Sequence, residues 1–149
     1  MQTTSHIPLS EDAALVAALA GTAMAFSHCA EDEAERWLRA LRLHGQVGSV
    51  LQGLGVGESP LATESEAICE DPSTPPLGQD ALDKTVREAE RHAASRGVDT
   101  VGTADLLTAV LDVYGELMDR ALEVRGATRG EVVERIARLG GPPERPHSG

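Results

Sequence analysis

Apolar residues recur at intervals of three and four along two long stretches of the chain, and the pattern stops between them. That spacing belongs to helices with one buried face. In the first stretch it predicts helices over about residues 10–27, 32–43 and 46–54. In the second it predicts helices over about 79–95, 103–113, 116–125 and 129–139, with Gly126 as the stop between the last two. The segment "VGTADLLTAVL" (101–111) is representative. Thr103 reads as a helix N-cap, and Asp105 suits the positive end of the helix dipole. Leu106, Leu107, Val110 and Leu111 then form one apolar stripe.

Between the two stretches, Glu58, Glu64, Glu66, Glu70 and Asp71 stand without a Lys or Arg among Gly53, Gly55, Gly57 and four prolines. Residues 57–77 therefore read as an acidic linker, with one short helical turn around 64–68. Residues 1–8 read as an N-terminal arm. Residues 140–149, "GGPPERPHSG", read as a disordered tail or the start of a connector.

The two stretches share an order of parts. "AERWLRAL" (34–41) precedes "TADLLTAV" (103–110) by 69 residues, which matches Trp37 and Leu38 with Leu106 and Leu107. The same offset pairs Ala17 with Val86, Ala20 with Ala89 and Met24 with Ala93. "SVLQGLG" (49–55) answers "RALEVRG" (120–126) at an offset of 71. The pattern predicts an all-α fold of two pseudo-symmetric repeats, each of about four helices, over residues 9–56 and 78–139. Neither repeat can bury its apolar face alone, and packing the two together does so.

Composition narrows the picture. The 149 residues are 41% hydrophobic but only 2% aromatic, namely Phe26, Trp37 and Tyr114. A core built from Leu, Val and Ala favours packed helices over a sheet sandwich, and Trp37 reads as part of that core. The net charge of −11 argues against nucleic acid and against anionic membrane surfaces as partners. "ALVAALAGTAMA" (14–25) has the apolar content of a signal peptide, but no Lys or Arg precedes it and Glu11 and Asp12 do. It is too short to cross a bilayer and reads as a buried helix. Cys29 and Cys69 form no C-x-x-C, so no disulfide is expected and a cytoplasmic location is.

The candidate chemistry is sparse. "GLGVG" (53–57) lacks the Lys and the spacing of a phosphate loop, and no Walker A sequence occurs. His28, Cys29 and Glu31 are too close in sequence to converge and lack a fourth ligand. His6, His44, His92 and His147 stand alone and read as exposed. Glu31, Asp32 and Glu33 read as a first-turn acidic run that complements a helix dipole. The sequence thus predicts no catalytic residue, no metal and no cofactor.

Residues 81–136 resemble one half of the Clp amino-terminal (Clp N) domain family, the double-repeat docking domain of ClpA/ClpB/ClpC-type unfoldases. The resemblance rests on Ala89 and Ala93, on "VGTADLLTAVL" against the family's V-G-T-E-H-L-L-x-x-L-L, on Leu122 to Gly126 as L-x-x-x-G, and on Val132 with Ile136. With a weaker first repeat it spans roughly residues 9–139. It implies a non-enzymatic module that binds a protein or peptide: Clp machinery, an adaptor or a substrate segment. The missing Walker A implies either a free-standing relative of that domain or a piece preceding an ATPase. In members that receive phosphorylated arginine, the resemblance places ligand-binding roles on Ser10, for phosphate, and Glu35, for guanidinium. The second repeat offers Gln79 and Ala104 at those positions, and Ala104 cannot pair with a guanidinium. The sequence leaves open a decoy protein that sequesters a small molecule or peptide between the repeats; a small hydrolase has no nucleophile constellation to support it.

Overall fold

The computed structural model describes residues 7–25, 27, 29–56 and 78–139. The linker at 57–77, with the helical turn expected at 64–68, the tail at 140–149 and most of the N-terminal arm lie outside the described residues. Among the described residues the fold is all-α. Seven helices occur: α1 Glu11–Met24, α2 Ala30–Arg42, α3 Gly45–Gly53, α4 Gln79–Ser95, α5 Thr103–Tyr114, α6 Glu116–Val124 and α7 Arg129–Ala137. An isolated parallel β-bridge pairs Leu9 with Val101.

α1 starts where Ser10, in extended conformation, accepts a hydrogen bond at Oγ from Ala13 N at 2.9 Å. Its inner face, Ala13, Val16 and Ala20, is fully buried. At Gly21 an added Cβ would lie 3.1 Å from Leu82 Cδ2, so the glycine permits close approach of α4. α4 answers with Ala81, Thr85, Ala89 and Ala93, a buried small-residue line at four-residue spacing that lets it pack extensively on α5.

α2 packs on α1, α3, α5 and α6, and α5 touches every other helix. Acidic residues Glu31, Asp32 and Glu33 fill its first turn and Arg39 and Arg42 its last, both favourable to the helix dipole. Trp37, Leu38 and Leu41 on α2 meet Leu106, Leu107 and Leu111 on α5, Leu51 on α3, and Met118 and Leu122 on α6 in one core. α3 and α6 end alike. Gly55 and Gly126 take φ of 84° and 85°, and Val56 N and Ala127 N reach back to Leu51 O and Leu122 O at 2.9 and 3.0 Å. A residue with Cβ is strained in that conformation, so glycine closes both helices.

Two sequence expectations require correction. The N-cap of α5 is Gly102; Thr103 is the first helical residue, fully buried, and its Oγ1 accepts from Val47 N of α3 at 3.3 Å. Asp105 supplies the capping instead, accepting from Gly102 N at 3.0 Å. Cys29, for which no disulfide was expected, is disulfide-bonded. Sequence spacing between two cysteines does not report their separation in space. The Cys29 sulfur also accepts from Asp32 N at 3.4 Å, capping α2.

Candidate functional site

A pocket of about 510 Å³ opens where the C-terminal ends of α4 and α7 meet the first turns of α5, with Gln46 of α3 at its edge. Gly102, Ala104, Asp105 and Thr108 present the start of α5 to it, and Val98, Ile136 and Leu139 form an apolar wall. His92 on α4 and Arg96, the residue that caps its C-terminal end, supply its basic side.

The ionisable groups of this pocket are mutually committed. Arg96 forks onto Asp105, with Nε to Oδ1 at 3.1 Å and Nη2 to Oδ2 at 2.8 Å. Asp105 is buried and also holds Gly102 N, so one carboxylate fixes both the helix start and the guanidinium. The Arg96 side chain stays 54% exposed, leaving N–H donors turned to solvent. Thr108 Oγ1 donates to Ala104 O at 2.9 Å. His92 Nε2 lies 3.2 Å from Asp112 Oδ2. His92 is therefore partnered and only half exposed, contrary to its reading as a lone surface histidine. Asp112 lies 20 residues away and reaches it only because α5 packs on α4.

Of the residues singled out in the sequence, Ser10 is fully buried. Its Oγ caps α1 and its N donates to Val101 O at 2.8 Å. Glu35 is buried on α2 and forms a two-pronged ion pair with Arg125 at the end of α6, with Arg125 Nη1 to Oε2 at 2.8 Å and Nη2 on Oε1. A carboxylate at this position does pair with a guanidinium, and the guanidinium is the protein's own. Ser10 and Glu35 thus engage different elements. Ala104 lines the pocket, where its methyl leaves open the volume a longer side chain would occupy. Gln79 opens α4, and its side chain lies outside what is described.

Sequence reasoning missed Glu33. Within the first-turn acidic run, Glu31 pairs with Arg120 and Asp32 with Arg36. Glu33 instead is fully buried, accepting from Tyr114 Oη at 3.0 Å and Gly78 N at 2.7 Å. Burial, then the Glu33 charge, push the Tyr114 phenol well above its ordinary value. The partners lie 45 and 81 residues away, so no local motif announces them.

No helix among the described residues is long and apolar enough to cross a membrane. Compared with models of known protein families and with curated proteins, the chain matches none.

Proposed function

We propose that the chain is a non-enzymatic docking module of the Clp amino-terminal type, two pseudo-symmetric repeats that present one pocket to a segment of another protein. The observation that carries the docking reading is the pocket at the start of α5, with an apolar wall, a basic side and charges already paired with one another. Such a surface suits binding better than proton transfer, because Asp105 is held by Arg96 and Gly102 and Thr108 by its own helix.

Several equivalences support the repeat. Trp37, Leu38, Val47 and Leu51 are as deeply buried as their counterparts Leu106, Leu107, Met118 and Leu122. The glycine closures at Gly55 and Gly126 match in φ and in hydrogen bonding. Gly45 and Gly115, at the α2–α3 and α5–α6 junctions, both carry positive φ. In one half, Ser10 N meets the Val101 carbonyl just before α5. In the other, Gly78 N meets the Glu33 carboxylate, because α2 begins at Ala30 and Glu33 falls within its first turn.

The ligand we favour is an unmodified segment with an apolar residue for the wall formed by Val98, Ile136 and Leu139, flanked by basic residues drawn by the net charge of −11. The phosphoarginine reading requires a ligand guanidinium to displace Arg125 from Glu35. A pocket of this volume also falls within the range that holds small molecules, which keeps a sequestering role as the second reading.

Calorimetric titration tests these readings with three ligands: a peptide of Leu and Arg residues, the same peptide without Leu, and phosphoarginine. The proteins are wild type, Ala104→Leu and Glu35→Gln, each checked for helicity. Docking predicts that the first peptide binds wild type and loses at least about tenfold in affinity on Ala104→Leu, which narrows the pocket. Equal binding to both proteins overturns the pocket. Phosphoarginine binding abolished by Glu35→Gln would move the site to Glu35.

A further inference from the structure

Glu88 and His92 lie one turn apart on α4, and Asp112 faces them from α5. Residues four apart share a helix face, so both α4 side chains project toward the same place. One donor atom from each residue lies within 4.8 Å of the other two. His92 Nε2 and Asp112 Oδ2 are already 3.2 Å apart.

We propose that Glu88, His92 and Asp112 form a binding site for a divalent transition cation, with Zn²⁺ the best-fitting ion. Zinc binds imidazole nitrogen and carboxylate oxygen at about 2.0–2.2 Å, which places tetrahedral ligands roughly 3.3 Å from each other. The His92–Asp112 pair already stands at that spacing. The Glu88 carboxylate closes the set by rotation of a side chain that is 25% exposed. Mg²⁺ and Ca²⁺ prefer six or more oxygens, and a set of one nitrogen and two carboxylates suits them poorly.

The surroundings permit the change. Arg91 is the cation that engages Glu88, at 3.4 Å, and its side chain is 77% exposed. An exposed ion pair of this kind contributes little and yields to a divalent ion. The pair Arg96–Asp105 lies one turn further on, at the C-terminal cap of α4, and keeps its own partner. α4 and α5 are held together by the buried Ala89, Ala93, Leu106 and Ala109, so the ligands sit on preformed elements. Three protein ligands leave a tetrahedral ion one position for water or an outside donor. Because His92 also lines the pocket, that position is offered to a docked segment; this last step rests on the docking reading, whereas binding of the ion does not.

The test is titration of the full chain with ZnCl₂ alone at about neutral pH, together with the absorption spectrum of bound Co²⁺. Wild type is expected to bind one Zn²⁺, to melt at higher temperature in its presence, and to give the intense visible bands of four-coordinate Co²⁺. His92→Ala and Asp112→Asn should each lower affinity by about tenfold or more and remove the Co²⁺ bands. His44→Ala should leave binding unchanged. Absence of a Zn²⁺ heat with wild type overturns the site. So does an isotherm unaltered by both His92→Ala and Asp112→Asn, which would assign the ion to other histidines. Both substitutions fall on partly exposed surface, and far-UV helicity verifies that the variants fold.

Discussion

The Tyr114 hydroxyl joins the two halves of the chain by donating to Glu33 Oε1 at 3.0 Å while accepting from Trp37 Nε1 at 3.2 Å. All three side chains are buried. With Gly78 N on the other Glu33 oxygen, the carboxylate is satisfied by dipoles. The arrangement orients the only tryptophan against the only tyrosine at the centre of the core.

Tyr114 should therefore resist ionisation. Burial, the Glu33 charge and the Glu33 hydrogen bond all raise its pKa from the ordinary 10.0, against a smaller opposing effect of Trp37. The folded state holds the proton more tightly than the unfolded state. The contribution to stability is complete below pH 10 and is lost as pH climbs above it. Tyrosinate absorbance near 295 nm should appear at about pH 10 in denaturant but only at higher pH, together with unfolding, in the native protein. A native titration centred at pH 10 without loss of helicity would contradict this.

Glu35 and Arg125 form a buried ion pair, with side chains 7% and 10% exposed. Arg125→Ala should destabilise the protein by about 3–5 kcal/mol, because it leaves Glu35 charged and unpaired in the interior. The double substitution Glu35→Leu with Arg125→Met should cost much less than the sum of the singles. Denaturant titrations of the four proteins in a double-mutant cycle measure the coupling.

Leu107 and Leu15 are a contrasting pair. Leu107 is fully buried on α5, while Leu15 on α1 is 43% exposed. Leu107→Ala should destabilise by about 2–5 kcal/mol, and Leu15→Ala should cost well under half as much. Equal shifts in denaturation midpoint would show that the outer face of α1 is covered in solution.

Cys29 should be unreactive in the purified protein. Assay of the denatured, unreduced chain with a thiol reagent should detect no free sulfhydryl, and two should appear after reduction. Reduction should lower the melting temperature, since a disulfide restricts the unfolded chain. Two free thiols before reduction would restore the reading drawn from cysteine spacing.

Much of the helical framework was legible in the sequence. The expected boundaries at 46–54, 79–95 and 116–125 fall within a residue of α3, α4 and α6. Trp37, Leu38, Leu106 and Leu107, expected in the core, are there. Helices are local, and their buried face recurs every three or four residues, so the chain carries that information in its own order. The ends were less legible. α2 begins at Ala30, two residues before the expected start, and α1 stops at Met24, three before the expected end.

Only the tertiary structure decided which polar groups meet. The Thr103 hydroxyl suits an N-cap by its position in sequence, but α3 brings Val47 N to it first. Glu35 resembles a ligand-binding carboxylate, yet Arg125, 90 residues on, occupies it. His92 looked isolated until α5 carried Asp112 alongside. The pocket draws on four helices, and Ala104, read in the sequence only as unable to pair with a guanidinium, is part of its lining. The physical reason is common to all of these. A helix follows from local periodicity, whereas a hydrogen bond or ion pair forms only within about 3 Å in the right direction, a condition set by how the helices cross.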